Sequence, residues 1–132
     1  MFILDTNVIS DLVRNPGGAA AKWLAQVGDG AVATSVIVAG ELRYGCAKAG
    51  STRLTDRIEA VLDEIEVLPL GPEVSAHYGA IRRDLEARGE IIGQNDLWIA
   101  AQARCVGAVI VTGNAGEFRR VPGLAVENWL QA

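Results

Sequence analysis

Phe2-Ile3-Leu4-Asp5-Thr6-Asn7-Val8-Ile9, at the start of a 132-residue chain, sets an unbroken apolar run directly against a carboxylate, a hydroxyl and an amide. The run at residues 1–5 reads as a strand buried on both faces, since it lacks the alternation of a half-exposed one. Val8, Ile9, Leu12 and Val13 then recur at helical spacing until Asn15-Pro16-Gly17-Gly18 ends the pattern. A strand passing straight into a helix is the first half of a parallel βα unit. Its polar residues fall at the carboxyl end of the strand, where open parallel sheets bind their ligands.

The same alternation repeats down the chain. Ala19 to Val27 reads as a helix stopped by Gly28, and Ala31 to Thr34 as a second strand. Ser35 is placed to cap a helix running to Ala49 and closed by Gly50. From Ser51 to Glu64, Leu54, Ile58, Val61, Leu62 and Ile65 line one face of an amphipathic helix that charges cover on the other, a face that also offers a surface for a second copy. Val67-Leu68 makes a brief strand, and Pro72 opens a helix that reaches Arg88-Gly89. After Gly93, Gln94 or Asn95 caps a helix at Leu97 to Val106, which feeds a strand at Val109 to Thr112. A last strand is expected near Leu124 to Val126, with Trp129 packing the tail. Strands alternating with helices predict an α/β fold, a single domain over residues 1–132 with a mostly parallel sheet covered on both faces.

Half of the residues are apolar, enough for a core without staples, and the net charge is −4. Cys46 and Cys105 have neither the close spacing nor the histidine neighbours of a zinc site, and they read as small buried hydrophobes. No stretch approaches a membrane span and the short opening run lacks a basic flank, so a cytoplasmic protein with no membrane partner is expected. An acidic balance disfavours a general nucleic-acid binder, yet carboxylates held for cations are neutralised once the ions bind. Arg82, Arg83, Arg88, Arg119 and Arg120 are candidates for a basic rim that would meet RNA.

Four positions carry the candidate chemistry: Asp5, Glu41, Asp96 and Asn114. Each falls at a strand end or in the first turns of a helix, so a parallel sheet would gather them at one edge. Asp5 can bind a metal directly or cap the helix after it, with Thr6 and Asn7 supporting it. Glu41 is a charge in a mostly apolar neighbourhood, Val38-Ala39-Gly40 before it and Leu42 after it, which calls for a partner such as a cation. In Asn95-Asp96, Asn95 can serve as the cap while Asp96 turns to the sheet edge. Carboxylates crowded together repel unless cations or protons neutralise them, and all-oxygen donors select hard ions such as Mg²⁺ or Mn²⁺. His77, the lone histidine, lies mid-helix and reads as structural.

On these residues the chain resembles the PIN-domain ribonucleases, and among them the VapC-like toxins, a group that includes FitB-like proteins. The resemblance rests on residues 2–7, Glu41-Leu42-Arg43-Tyr44-Gly45, Asn95-Asp96-Leu97-Trp98-Ile99-Ala100-Ala101, Val111-Thr112 to Glu117-Phe118, and Val121-Pro122-Gly123-Leu124 with Glu127-Asn128-Trp129. It implies a three-layer α/β/α fold, Mg²⁺ or Mn²⁺ at the site, cleavage of RNA, a homodimer, and a cognate VapB-like antitoxin that blocks the site. By position, Asp5, Glu41 and Asp96 look like the family's acidic metal ligands. Asn114 stands where an aspartate is frequent, which makes Glu117 the alternative source of a fourth charge, with Thr112 in support. Val38 replaces a common threonine.

The expected function is that of a toxin: a Mg²⁺-dependent endoribonuclease cutting structured or single-stranded RNA such as tRNA. Two other readings compete. One is a PIN domain disabled by Asn114 that acts only as an antitoxin-partnered binding module. The other is a phosphatase using Asp5 as nucleophile, although that chemistry usually wants a second acid where this chain has Asn7.

Overall fold

A computed structural model describes residues 1–131. Five short strands, β1 (Phe2–Leu4), β2 (Val32–Ser35), β3 (Glu66–Leu68), β4 (Val109–Val111) and β5 (Ala125–Glu127), form one sheet in the order β3-β2-β1-β4-β5. Every pairing is parallel. β1 is central, with Phe2 opposite Val32 on one side and Val109 on the other, and Leu4 opposite Thr34 and Val111. Ile3, Leu4, Ile110 and Val111 are fully buried, as their unbroken apolar runs require.

The helices are α1 (Thr6–Arg14), α2 (Ala19–Val27), α3 (Val36–Ala49), α4 (Thr52–Glu64), α5 (Val74–Ala87), α6 (Gln94–Val106) and the short α7 (Ala115–Phe118). They pack as two groups, α1 with α2, α3 and α4, and α5 with α6. Right-handed crossovers put those groups on opposite faces of the sheet, which makes three layers. Between α5 and α6, Tyr78 stacks on Trp98 at 3.8 Å between ring centroids. Trp129 is buried against Phe2 and Trp23, at 5.2 and 5.9 Å, and closes the tail onto the sheet as expected.

Local chemistry explains most boundaries. Ser35 caps α3 by accepting from the Ile37 amide at 3.1 Å, and Ser51 caps α4 by accepting from Leu54 at 3.1 Å. Gly50 ends α3 in the left-handed conformation, φ +63°, which glycine adopts without a Cβ clash. The apolar stripe of α4 is spent inside: Ile58 and Leu62 are buried, Leu54 and Val61 pack on the same core, and the helix lies on α1, α3 and β3. Burying each of Ile58 and Leu62 contributes about 1.5–3 kcal/mol. That stripe is therefore not a free dimer face.

Several expected boundaries shift. α1 starts at Thr6 and not near Val8, because Asp5 itself is the cap. Neither Gln94 nor Asn95 caps α6. The cap position is Gly93, and both polar residues lie in the first turn. Pro72 sits in a turn ahead of α5, which begins at Val74. Thr112 lies one residue past β4, and β5 runs one residue later than expected. The sequence pattern also gave no sign of α7, whose single turn is too short to show a period.

Candidate active site

In the order β3-β2-β1-β4-β5 the chain leaves β1 in one direction along the sheet and β4 in the other. The two loops diverge and leave a crevice at the carboxyl ends of β1 and β4, the place where such sheets bind ligands. Asp5 follows β1 and Thr112 follows β4, so the chain itself delivers polar side chains to both lips.

Asp5 is only 3% exposed and is held from two sides. Its Oδ1 accepts from the Thr6 amide at 2.8 Å, and its Oδ2 accepts from the Thr112 hydroxyl at 2.7 Å. The same Thr112 oxygen accepts from the Asn114 amide at 2.9 Å, so one hydroxyl fixes both the carboxylate and the turn after β4. The Asn7 side-chain oxygen accepts from the Gly113 amide at 2.8 Å and ties the lips together. A Cβ at Gly113 would come within 2.8 Å of the Leu130 side-chain tip and 3.4 Å of Asn7, so a larger residue would need the Leu130 side chain to shift. Cap and site are one arrangement here, because the Asp5 carboxylate starts α1 while facing the crevice.

Glu41 lies two turns into α3, half-buried, and its Oε1 accepts from the Thr6 hydroxyl at 3.2 Å. Asp96 enters from the first turn of α6. Glu117, on α7, accepts from the Gly93 amide through Oε1 at 2.8 Å. A Cβ built on Gly93 would lie 3.8 Å from both Asp96 Oδ2 and Glu117 Oε1, so these two carboxylates meet over a residue without a side chain. Asn114 is exposed at the start of α7, with no side-chain capping bond. Glu117, one turn on, lies against Asp96. Asn95 reaches Glu41 from the first turn of α6.

The electrostatics follow from this crowding. Burial pushes the Asp96 carboxyl up to about 7, and the charges of Asp5, Glu117 and Glu41 push the same way. Asp5 is raised by burial against the hydrogen bonds from Thr112 and Thr6, which favour its charged form. Glu41 is raised by burial and by the charge of Asp5, with hydrogen bonds from Thr6 and Asn95 acting in opposition. Burial and mutual charge thus act on Asp5, Glu41 and Asp96, with Glu117 beside them and, among the described residues, no salt bridge to any of the four. Among the described residues no trio of His, Cys, Asp or Glu forms a ready-made ion cage. Mg²⁺ does not require one, since it is usually held by one or two carboxylates and keeps several waters. An all-oxygen donor set with unbalanced negative charge fits a hard divalent ion.

The candidate rim is mixed. Arg82 contacts Glu86 at 3.5 Å and donates to the Tyr78 hydroxyl, and Arg88 pairs with Asp84 at 2.7 Å and Glu90 at 3.2 Å. Arg120 donates to the Ile91 carbonyl. Arg83 and Arg119 are exposed. His77 accepts from Arg104 at 3.0 Å through Nδ1, joining α5 to α6, in keeping with a structural part. Both cysteines are unpaired, Cys46 buried and Cys105 partly so. No helix among the described residues is long and apolar enough to cross a membrane. Sequence reading missed the amides of Gly93 and Gly113, since a backbone donor carries no residue signature.

The acidic side chains gathered at the switch point of this all-parallel sheet offer oxygen donors of the kind hard divalent cations prefer, at the place where such sheets bind ligands. Residues 2–124 match the PIN domain. The chain is 33% identical over 131 residues to the ribonuclease VapC2 of Rickettsia felis, covering 98% of each. It is 34% identical over 132 residues to the tRNA(fMet)-specific endonuclease VapC of Shigella flexneri, covering 97% of each. Its fold superposes on a chain of the Rickettsia felis VapBC2 complex bound to a promoter DNA fragment, with a TM-score of 0.89, 32% identity, and 97% and 98% coverage. FitAcB of Neisseria gonorrhoeae gives a TM-score of 0.89 at 30% identity, covering all of both chains. The chain belongs to the PIN-domain family, in its VapC ribonuclease branch.

Proposed function

We propose that this protein is the toxin of a toxin-antitoxin pair, a Mg²⁺- or Mn²⁺-dependent endoribonuclease restrained by a small protein antitoxin. The observation that carries this is the meeting of Asp5, Glu41, Asp96 and Glu117 at the β1/β4 crevice. The ribonuclease names of its relatives and the toxin-antitoxin complexes among its structural neighbours support the reading. Asp5 and Asp96 would hold the ion, with Glu41 assisting and Glu117 closing the fourth side in place of Asn114. When bound, the ion supplies Lewis-acid activation of water and neutralises charge at the phosphodiester.

The chain's own residues do the positioning. Thr112 and the Thr6 amide fix the Asp5 carboxylate, while the Thr6 hydroxyl orients Glu41. The Gly93 amide orients Glu117. Such second contacts typically change metal affinity or activity about 10–100-fold when removed. The crevice also gives an antitoxin a target, because a basic side chain inserted among these carboxylates would take the place of the cation. A homodimer, as in the resemblance, completes the proposed assembly.

The test is cleavage of total cellular RNA by purified protein with Mg²⁺, Mn²⁺ or chelator, in parallel with Asp5→Asn. Discrete fragments that need metal and vanish in the variant are expected. Fragments that persist in chelator or in Asp5→Asn would overturn the reading.

A further inference from the structure

Beside the carboxylates, α1, α3 and α4 enclose a groove of about 400 Å³, a volume in the range of small-ligand sites. Thr6 and Glu41, joined by a hydrogen bond in the acidic cluster, are among its lining residues, so the groove adjoins that cluster. Its walls are aliphatic, with Val13, Leu42, Leu54 and Ile58, and the Ser10 hydroxyl is on the α1 side. Arg14 lines it too, eight residues beyond Thr6 on α1, exposed and with no ion pair among the described residues. Its place in the last turn of α1 already favours a cation. The charge in a groove beside a phosphate-cleaving site asks for more.

Gly45 sharpens the question. It stands inside α3, where glycine is less favourable than alanine, and a Cβ there would meet nothing within 4 Å. Packing therefore does not require a glycine, and the effect of its missing side chain is to leave the groove wall low. Thr6 and Arg14 are eight residues apart on one helix, about 12 Å. That span is short enough for a neighbouring phosphate of the same strand to reach the guanidinium.

We infer that this groove is a nucleotide subsite of the ribonuclease: an unstacked base of the RNA lies against its aliphatic walls, and Arg14 takes the adjoining phosphate. The inference rests on the ribonuclease reading and adds where the strand runs. Aliphatic walls offer few partners to the hydrogen-bonding edge of a base, which predicts loose base preference at this position. Adjacency to the acidic cluster and the Arg14 charge favour RNA over a peptide segment as occupant.

The experiment uses the full chain carrying Asp96→Asn, so that RNA is bound but not consumed, titrated with a fluorescent pool of random-sequence single-stranded oligoribonucleotides. Gly45→Leu, which fills the groove, and Arg14→Ala are each expected to weaken binding about tenfold, and Arg14→Ala to lower the salt slope by about one. Gly79→Leu, an exposed α5 position where a Cβ also meets open space, is the control and binds as before. In the otherwise unmutated enzyme, an abasic residue walked along a cleavable strand is expected to cost about tenfold at one position, a loss absent from Gly45→Leu. Undiminished RNA binding by both Gly45→Leu and Arg14→Ala overturns the inference, as does a parent that binds no RNA. Loss of antitoxin binding alone in Gly45→Leu assigns the groove to a peptide and overturns it as well. If no metal supports cleavage while Gly45→Leu still weakens RNA binding, the nuclease reading fails and the subsite stands.

Discussion

The carboxyl edge of the sheet and the outer surface of α5 treat charge in opposite ways. Along α5, Asp84, Glu86, Arg82 and Arg88 pair one with another in solvent, and Arg88 reaches Glu90 as well. At the crevice, Asp5, Glu41, Asp96 and Glu117 face one another partly buried, with hydroxyls and amides as their partners and, among the described residues, no salt bridge. Exposed pairs are screened and contribute little to stability. Clustered carboxylates raise the energy of the folded chain until something positive arrives. The contrast teaches where this molecule holds free energy in reserve for binding.

The sharpest way to break the contrast is to remove one crevice charge. Asp96→Asn is expected to lower RNA cleavage on the order of a thousandfold, the several kcal/mol that a held cation supplies to the transition state. The same substitution should raise the melting temperature of the metal-free protein, because it relieves repulsion. Matched activity assays and thermal melts in chelator check both. A variant that loses stability without losing activity would show that Asp96 only supports the fold.

Thr112→Val keeps the shape and deletes the hydroxyl that holds Asp5. Cleavage and metal affinity should fall about 10–100-fold with the fold intact, read by metal titration of activity. An unchanged metal dependence would mean that the Thr6 amide positions Asp5 alone.

The pH dependence of stability sharpens the comparison further. The folded Asp96 carboxyl binds its proton until about pH 7, the free one only until 3.8, so the folded state carries more protons between those values. Stability of the metal-free protein should therefore be greatest below that window and decline as pH rises through it. Asp5 and Glu41 are raised as well and act in the same direction. Melts in chelator from pH 5 to pH 8 should show the decline, and Mg²⁺ or Mn²⁺ should reverse it at the alkaline end. A melting temperature that rises with pH would refute the assignment.

The smallest effect belongs to the other region. Arg88→Ala should leave cleavage unchanged and shift the melting temperature barely beyond error, even though it breaks contacts to Asp84 and Glu90. A large loss of activity would place this arginine at the RNA after all.

Much of the crevice was legible in the chain because its signals are local. An apolar run ending in Asp5-Thr6-Asn7, an exposed-type charge at Glu41 in apolar company, and Asp96 at the head of an apolar helix are all visible within a few residues of each position. The caps at Ser35 and Ser51 and the stop at Gly50 follow from backbone chemistry that any helix shares. The approach of Glu117 to Asp96 was not legible there. A one-turn helix has no period, and it is that turn, anchored by the Gly93 amide from another part of the chain, that carries Glu117 to Asp96.

The sequence by itself determined the alternation of strands and helices, the burial of the central strands on both faces, and Asp5, Glu41 and Asp96 as the candidate acidic residues. Only the tertiary structure decided the order β3-β2-β1-β4-β5, the crevice between β1 and β4, the approach of Glu117 to Asp96, the inward turn of α4 and the groove that Arg14 lines. Propensity, patterning and capping act over a turn or a strand and are written in neighbouring residues. Strand order and the meeting of charges depend on pairings such as Thr112 with Asp5, made between residues far apart in the chain, which only the packed molecule brings together.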